Sequence, residues 1–428
     1  MSSTTPPGIS HKTTILTVAI IAVGIILRIW GATISVVPES DFQRYFAVAT
    51  EFSTSGALSY RGEPFIFQPP AYPALLGVTF KIFGTSVSTG VALNLVLSIA
   101  SLLVMLKTML RIKTSPWVSI GLLAIFATYP GLISFVPILG SETLSVFLVC
   151  LTLLLSTYHG WQSSAMLGAL LAVLTLTRPQ YFPLVGVLAL VALWRRQFVA
   201  AIAIALAFSV VLGPWVQRNQ ETFGIPVAVS ANGGYVAFVN NNSSNSTATW
   251  MALSQINLTP EQRQKFDAAG GHLIFEQGDE SEKTFLWTPA IDRIASEEAI
   301  NWIYEHPTMF FKLALMRLSN TFATAGDSIL AWLNPHTSTK TEKIAKFTTG
   351  ITIAVTSLSA VAAALLLFRL GEPTVMLAIS IIGLTIAGIM IFEGQGRYLV
   401  PMLPAMLVCI ALARAPSDGR GYRRKQLT

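Results

Sequence analysis

Long apolar runs separated by short polar segments dominate this chain. Ten of them come close to the roughly 20 residues that a helix needs to cross a hydrocarbon core of about 30 Å. The pattern therefore predicts an all-α polytopic membrane protein with about 10 to 12 transmembrane helices. The ten predicted spans are 14–34, 86–106, 116–135, 143–158, 163–177, 181–194, 198–215, 346–368, 374–392 and 397–413.

Two further apolar segments do not fit a crossing helix. Prolines break the segment 69–83, and polar or charged side chains interrupt the segment 310–333. Because a charged side chain in the bilayer is costly, we expect both segments to be helices that lie at the outer interface of the membrane or re-enter it. The interrupting residues of the second segment are Lys312, Arg317, Asn320 and Asp327.

The composition supports a membrane protein. Of the 428 residues, 53% are hydrophobic and only 11% are charged, whereas roughly a quarter are charged in soluble proteins. The mean hydropathy is +0.61. One soluble core cannot bury so much apolar surface, and this excludes a soluble enzyme, a nucleic-acid-binding protein and a disordered chain.

Charge is distributed unevenly along the chain. The stretch 216–309 carries eleven acidic and five basic residues, a net −6, so the rest of the chain carries +13. Three basic clusters, at 107–113, 195–196 and 420–425, can all face the cytoplasm only if the N-terminus is cytoplasmic. The predicted regions are a cytoplasmic N-terminus 1–13, a transmembrane module 14–215 with a first outer loop at 35–85, a periplasmic loop region 216–345 with interfacial helices, C-terminal transmembrane helices 346–413 and a basic cytoplasmic tail 414–428.

The first outer loop places a carboxylate at a membrane boundary. Asp41, Tyr45, Ala49 and Phe52 fall on one face of a helix that begins near Asp41. Capping of this helix by Ser40, with an acid favoured in the first turn by the helix dipole, explains the pair equally well. The position of Asp41 just outside the first span favours a catalytic role.

Two more charged residues stand where apolar runs meet polar turns. Glu142 follows Gly140-Ser141, and either helix capping by Ser141 or a functional role explains it. Arg178 joins two short apolar runs, which would leave it below the level of the headgroups. An arginine at that depth favours an anion site such as a phosphate; the alternative is an interfacial arginine whose stem lies along apolar surface.

The last outer turn carries Arg397 four residues after Glu393. Two readings are open, since Arg397 either pairs with Glu393 along a helix or faces the same outer pocket as Asp41. Glycine on both sides of Gln395 indicates a close backbone approach there.

Motifs for other chemistry are missing from the sequence. It contains no GxxxxGK[ST] phosphate loop and no HExxH, and its five histidines lack ligand spacing. Glu39 and Asp41 alone supply too few ligands for a divalent ion. No cofactor is therefore predicted, and a divalent metal is left as the less favoured alternative.

Six short motifs occur in a fixed order between residues 14 and 410. They are Glu39-Ser40-Asp41 with Tyr45; Pro69-Pro70-Ala71-Tyr72-Pro73 before Phe83-Gly84; Pro214-Trp215-Val216-Gln217-Arg218-Asn219; Asn232-Gly233-Gly234-Tyr235 with Asn240-Asn241-Asn242; Ala299-Ile300-Asn301-Trp302-Ile303 with His306-Pro307 and Arg317; and Arg397-Tyr398-Leu399-Val400-Pro401-Met402-Leu403-Pro404. In this order they resemble the bacterial relatives of the dolichyl-phosphate-mannose–protein mannosyltransferases, the family-39-type or RgtA/B/C/D-like GT-C glycosyltransferases.

This resemblance implies a GT-C fold and an inner-membrane enzyme of the cell envelope. Such an enzyme moves a sugar, with inversion, from a polyprenyl-phosphate donor to a glycan, lipid (as in lipopolysaccharide) or protein acceptor on the periplasmic face. It implies Asp41 as the general base and Arg178 and Arg397 as ligands of the donor phosphate; membrane lipid is a further partner and nucleic acid is not. The other site candidates are Glu39, Arg44, Tyr45, Gln68, Tyr72, Glu142, Tyr235, Asn240 and Tyr398.

Two other classes of protein compete with this interpretation. A transporter or flippase for a lipid-linked or anionic substrate would also use outward-facing arginines, but it would have to expose its site alternately to both faces. Every candidate residue here lies toward one face, and the 130-residue region 216–345 has no evident role in transport. The other alternative is a non-catalytic scaffold in a polysaccharide-export complex.

Overall fold

The computed structural model describes residues 11–276, 286–333 and 339–415. The N-terminal half of the chain contains helices α1 to α10 and one hairpin of two short strands, Ser59–Tyr60 and Glu63–Pro64. The helices are α1 (His11–Ala32), α2 (Ser40–Ser55), α3 (Ala71–Phe83), α4 (Val87–Ile112), α5 (Pro116–Thr128), α6 (Pro130–Ser134), α7 (Ser141–Leu155), α8 (Trp161–Thr177), α9 (Leu184–Trp194) and α10 (Phe198–Phe223).

The C-terminal half contains eight more α-helices within the described ranges, with short 3₁₀ turns between some of them. They are α11 (Gly233–Asn240), α12 (Pro260–Ala268), α13 (Pro289–Glu305), α14 (Pro307–Ala323), α15 (Ala325–Leu330), α16 (Thr339–Leu365), α17 (Pro373–Ile391) and α18 (Leu403–Arg414). The 3₁₀ turns are Pro179–Tyr181, Leu253–Gln255, Leu367–Arg369 and Gly396–Leu399.

The prediction of an all-α multi-pass membrane protein is confirmed, since each of the ten predicted spans contains a helix. Five helices in the described ranges, α1, α4, α10, α16 and α17, are long and apolar enough to cross a membrane by themselves. The other predicted spans are occupied by apolar helices of 10–17 residues. The basic tail beyond residue 415 and most of the predicted N-terminal region, residues 1–10, lie outside the described residues.

The boundaries of the region 216–345 differ from the prediction. Helix α10 does not end at residue 215 but continues to Phe223, where Gly224 in the left-handed conformation ends it. Helix α16 begins at Thr339 rather than at 346. Hydrophobicity marks only the apolar part of each helix, and the polar turns at the ends of α10 and α16 carry no such signal.

A buried arginine fastens α1 to its neighbours. Arg28 is fully buried, and its Nε donates to Ser98 Oγ at 2.9 Å. Its Nη1 donates to the backbone carbonyls of Gly24 and Ala127, each at 2.9 Å. Ser98 belongs to α4 and Ala127 to α5, so this one side chain satisfies backbone and hydroxyl acceptors on three helices.

A second apolar core joins the elements between α10 and α14 to the first outer loop. We call this part of the molecule the cap: the segment 58–67 together with α11, α12, α13 and the described loops between these helices. Its core includes Phe65, Phe238, Phe266 and Trp287. Helix α11 lies directly on α13, because a side chain at Gly234 would collide with the backbone of Asp292.

Helices α8 and α10 are in equally close contact at Gly168, where an added Cβ would meet the backbone of Ile204. We expect Gly168→Ala to force the two helices apart and to destabilise the protein by about 1–3 kcal/mol, the usual cost of overpacking. Thermal unfolding of the purified protein in detergent measures the change.

Gly213→Ala in α10 is the matched control for Gly168→Ala, since a Cβ at Gly213 has open space around it. This control should be neutral or slightly stabilising, because alanine is the better helix former. Equal unfolding temperatures for the two variants would contradict the close packing of α8 and α10.

Candidate active site

A cleft of about 540 Å³ lies at one end of the helix bundle. It is lined by the first turn of α2, the start of α7, the end of α8, helix α11, the end of α17 and the turn that precedes α18. The sequence-predicted residues that line it are Asp41, Arg44, Tyr45, Gln68, Glu142, Arg178, Tyr235, Arg397 and Tyr398.

Asp41 lies in the first turn of α2 and makes contacts through both carboxylate oxygens. Its Oδ2 accepts a hydrogen bond from Arg397 Nη2 at 2.9 Å. Its Oδ1 accepts from Arg44 Nη2 at 2.8 Å and from Gln68 Nε2 at 3.0 Å. The side chain keeps 30% of its surface exposed to the cleft, so it is held by three partners without being sealed off.

Capping by Ser40 does not explain this position. The N-cap residue is Glu39, no side chain caps the helix, and Ser40 is already its first helical residue. The capping interpretation of Ser40 is therefore wrong.

The partners of Asp41 decide its charge. Burial by itself raises the pKa of the carboxyl, but the positive charges of Arg397 and Arg44 and their hydrogen bonds outweigh burial and lower the pKa to about 2. Asp41 is consequently ionised throughout the physiological pH range. With its oxygens occupied by guanidinium groups it is a weak base, and it becomes a stronger one only when a guanidinium moves away.

Arg397 is bonded to Asp41 and not to Glu393, so the predicted alternative of an i, i+4 pair is wrong. The reason is local backbone geometry, since Glu393 precedes a 3₁₀ turn that starts at Gly396 rather than lying on one α-helix with Arg397. Glu393 instead accepts hydrogen bonds from the Tyr398 hydroxyl, at 2.5 Å, and from the Gln395 side chain. Burial is the main cause of its raised pKa.

Arg178 is held in the cleft by an acid of its own. Its Nη2 donates to Glu142 Oε1 at 2.8 Å, and both side chains are largely buried. Its Nε lies 3.4 Å from Ser145 Oγ. Arg178 therefore faces the cleft, and Glu142 orients it. Helix α7 begins after Gly140 and has no side-chain cap, so capping by Ser141 is wrong.

The ring of Tyr398 connects the two arginines. The guanidinium carbon of Arg397 lies 5.4 Å from the ring centroid, and that of Arg178 lies 5.5 Å from it. Cations within about 6 Å of an aromatic face are attracted to it. The ring thus lies against both guanidinium groups.

Charges in the cleft balance. Among the described residues that line it, Asp41, Glu142 and Glu393 supply three carboxyl groups, and Arg44, Arg178 and Arg397 supply three guanidinium groups. One donor nonetheless stays unused, because Arg397 Nε is buried without a hydrogen-bond partner in the described part of the chain. A bound anion would give it one.

Three predicted site residues do not line the cleft. Glu39 is exposed on the outside of the loop, since residues two apart on a helix or its cap do not face each other. Tyr72 is buried behind Tyr45, with ring centroids 5.5 Å apart, and donates to Asn94 Oδ1. Asn240 is buried in the last turn of α11, where its side chain donates to the carbonyl of Val236. These three residues lie outside the lining of the cleft, and their roles at the site stay predictions.

Several lining residues were not predicted. Glu393 and Gln395 were noticed only for their spacing, and Asn232 only as part of a motif. Trp250 lies in a polar stretch without periodicity, and Trp332 lies at the end of the interrupted apolar segment 310–333. No sequence signal marks either of them as a site residue. Trp332 contacts the ring of Phe42 edge-on at 4.9 Å and lies within 5.8 Å of the Arg397 guanidinium.

The arrangement of acidic and histidine side chains bears on metal binding. Within the described ranges no group of three or more His, Cys, Asp or Glu side chains is placed to hold a metal ion. Glu39 is exposed and does not line the cleft, and the cleft carboxyl groups are bonded to guanidinium, hydroxyl or amide donors. The expectation that no metal is needed stays a prediction.

The sequence matches no protein-family model and no curated protein. The fold is similar to that of ArnT from Cupriavidus metallidurans in the apo state, with a TM-score of 0.43 and 14% identity over 93% of this chain and 78% of ArnT. It is similarly related to ArnT bound to undecaprenyl phosphate, with a TM-score of 0.42, 14% identity, and 92% and 77% of the two chains covered.

A third similar structure is the archaeal oligosaccharyltransferase AglB from Archaeoglobus fulgidus, in complex with an inhibitory peptide and a dolichol-phosphate. The TM-score is 0.49 at 12% identity, over 94% of this chain and 50% of AglB, so this chain spans about half the length of AglB. At these identities and TM-scores the likeness concerns the fold alone.

The buried pair between Glu142 and Arg178 predicts a large stability effect. Glu142→Gln leaves Arg178 buried without its counter-charge, and we expect a loss of about 3–5 kcal/mol, as for other broken buried ion pairs. Thermal unfolding in detergent measures it.

The matched control for this pair is Glu297→Gln, which breaks an exposed pair with Arg293. It should cost less than about 1 kcal/mol. If Glu142→Gln unfolds at the same temperature as this control, the pair does not hold Arg178 in place.

Proposed function

We propose that this protein is a GT-C glycosyltransferase of the bacterial inner membrane. It transfers a sugar from a polyprenyl-phosphate donor to an acceptor hydroxyl on the periplasmic face. The observation that carries the proposal is the meeting of one carboxylate, Asp41, with the guanidinium groups of Arg397 and Arg178 in a single cleft at the end of membrane helices. The order of the motifs along the chain supports the same class of enzyme.

The donor phosphate binds between Arg397 and Arg178. Both guanidinium groups flank Tyr398, and Arg397 Nε has a free hydrogen for a phosphate oxygen within the described surroundings. Arginine suits phosphate because its planar donors match the oxygens of the group. The end of α17 adds apolar lining at Ile389 and Phe392, which suits the isoprenoid chain of a carrier that arrives from the bilayer.

The proposed reaction is a single displacement at the anomeric carbon. The acceptor hydroxyl gives its proton to Asp41 while its oxygen forms a bond to the anomeric carbon on the face opposite the phosphate. The bond from that carbon to the phosphate oxygen breaks, and polyprenyl phosphate leaves with the bonding electrons. The transferred sugar then has the inverted configuration at its anomeric carbon. The added negative charge of the leaving phosphate is stabilised by Arg178 and Arg397.

Arg397 also decides when Asp41 acts as a base. In the structure its guanidinium is bonded to Asp41 Oδ2 and lowers the pKa of that carboxyl. A phosphate that attracts Arg397 releases this oxygen and raises the basicity of Asp41. The base is therefore activated by the donor, and an acceptor alone meets a carboxylate that is still occupied.

A flippase is the alternative class. It would need polar groups along a path to the opposite face of the bundle. The six charged groups of the cleft, by contrast, come from turns and helix termini at one end, while the cores of α4, α7 and α18 in the described bundle are packed with apolar side chains such as Leu102, Leu153 and Met406. This arrangement favours a transferase.

Asp41→Asn tests the base. Without a carboxylate to take the proton, we expect the transfer rate to fall by about 10²–10⁴-fold, the usual contribution of general-base catalysis. The assay incubates purified protein with a panel of polyprenyl-phosphate sugars and acceptors and scores the release of carrier phosphate.

Glu39→Gln is the matched control for Asp41→Asn, because it removes a neighbouring exposed carboxylate outside the cleft. It should keep the wild-type rate. A folded Asp41→Asn protein that transfers sugar as fast as this control would show that Asp41 is not the base.

Arg397→Gln should change the pH dependence of transfer. Removing the guanidinium leaves burial, which raises the pKa of Asp41, with less to oppose it, so the pKa climbs from about 2 toward or above its ordinary value. Protonation then removes the base as the pH falls. We expect kcat/KM of the variant to decline below about pH 5 while the wild type stays level there.

Arg178→Gln separates this effect from loss of donor binding, since Arg178 is bonded to Glu142 rather than to Asp41. Both variants should use the donor less well, and only Arg397→Gln should gain the acid limb. An acid limb in both variants, or in neither, would contradict the control of Asp41 by Arg397.

A further inference from the structure

The two oxygens of Asp41 face different walls of the cleft. From Oδ2 the contacts lead to Arg397, Tyr398 and Arg178. From Oδ1 they lead to Gln68 and to Arg44, whose guanidinium lies 5.2 Å from the ring of Phe67. The first wall holds Arg397 and Arg178, and the second wall, which includes Arg44, adjoins the cap.

The cap wall presents three aromatic rings, which we call the aromatic shelf: Phe67, Tyr235 and Trp250. The ring of Tyr235 lies 5.4 Å from Phe67 and 5.3 Å from Trp250. All three line the cleft, and 42% of Trp250 is exposed. An exposed indole beside a polar cavity offers an apolar face to a ligand in water.

The aromatic shelf is fixed from behind. Asp292 Oδ1 accepts a hydrogen bond from the backbone N–H of Tyr235 at 2.9 Å and another from Trp287 Nε1 at 3.0 Å. The ring of Trp287 packs edge-on against Tyr235 with centroids 4.8 Å apart. Tyr235 is thus held before any ligand arrives, which lowers the entropy cost of binding.

Amide groups accompany the aromatic shelf. Gln68 follows Phe67 directly, and its Nε2 donates to Asp41 Oδ1. Because a carboxylate only accepts, this bond fixes which end of the Gln68 amide is the nitrogen. The amide oxygen, Oε1, is buried without a partner among the residues that the structure describes. Asn232 adds a second amide to the lining. A buried carbonyl oxygen without a donor is costly, so it fits a hydroxyl group of a ligand.

Aromatic faces together with amides suit one class of ligand. The rings of sugars have a face of C–H groups that packs on aromatic rings and an edge of hydroxyls that both donate and accept hydrogen bonds. A serine or threonine of a peptide has one hydroxyl and no such face. Trp250 also differs from the exposed tryptophans at the ends of α1, α5, α8 and α9, which occupy positions typical of a membrane interface: Trp30, Trp117, Trp161 and Trp194.

We propose that the aromatic shelf and Gln68 form the acceptor subsite and that the acceptor is a carbohydrate. The sugar ring packs on Trp250 and Tyr235, one of its hydroxyls meets Asp41, and a neighbouring hydroxyl donates to Gln68 Oε1. This assignment rests on the proposed transferase function, and it names the class of acceptor that the cleft selects.

The test measures binding without catalysis. The full-length protein is placed in phospholipid nanodiscs free of glycoside detergents, and saturation-transfer NMR is recorded with methyl glycosides of several pyranoses and furanoses. We expect saturation to reach the ring protons in the wild type. Trp250→Ala should weaken this binding by about tenfold, the loss typical of an aromatic anchor, and Trp250→Phe should retain most of it.

Two further variants locate the effect. Trp161→Ala removes an exposed indole at the start of α8, outside the cleft lining, and should leave glycoside binding unchanged. Gln68→Leu should weaken glycoside binding and leave the binding of undecaprenyl phosphate unchanged, because the phosphate contacts the opposite wall. A general loss of folding would instead weaken the binding of both the glycoside and undecaprenyl phosphate.

The proposal is overturned if no methyl glycoside receives saturation from the wild type, or if Trp250→Ala binds it as well as Trp161→Ala does. It is also overturned if a serine- and threonine-containing peptide displaces the glycosides from the shelf. The transferase proposal can fail separately, since a protein that binds glycosides at Trp250 and releases no carrier phosphate from any donor contradicts only the proposed reaction.

Discussion

The ion pair between Asp41 and Arg397 joins parts of the chain that are 356 residues apart. One partner stands in the first turn after the first membrane helix, and the other in the last turn before the final helix. Either charge would destabilise the protein if it stood alone, because burying an ion without a partner costs free energy. The pair therefore brings α2 and the end of α17 to the same place and gives the cleft its position. In the proposed reaction the same bond keeps the base inactive until a phosphate competes for the guanidinium.

The helical plan and the three principal site residues could be predicted from the sequence for a simple physical reason. Apolar runs fix which segments cross the membrane, and charges at the ends of those runs must gather where water reaches them. Asp41, Arg178 and Arg397 all satisfy that condition on one side of the bundle. The topology therefore predicts that these three residues converge, but it does not predict which partner each of them contacts.

The remaining features depend on geometry that periodicity does not contain. The sequence does not decide whether Arg397 pairs with Glu393 or with Asp41. The 3₁₀ turn that starts at Gly396 prevents the pair with Glu393, and this turn has no signal in the sequence. Ser40 and Ser141 are of a residue type that often caps helices, but neither side chain makes a capping hydrogen bond. Asn240 is fully buried in the last turn of α11, and Trp250 comes from a loop with no pattern at all. Such side chains are placed by the packing of the cap, which involves residues far apart along the chain.

The balance of three acids and three guanidinium groups has a practical consequence for identifying the lipid-linked donor that the proposed function requires. Any variant that neutralises one acid without disturbing the fold leaves the cleft with an excess positive charge, and a cationic pocket at a membrane boundary retains anions more strongly than a neutral one. The aspartate-to-asparagine change does this at the position of the proposed base, where it is also expected to slow turnover. That variant would carry its own lipid through purification, so extraction and mass spectrometry of the pure protein could reveal the carrier and its sugar together.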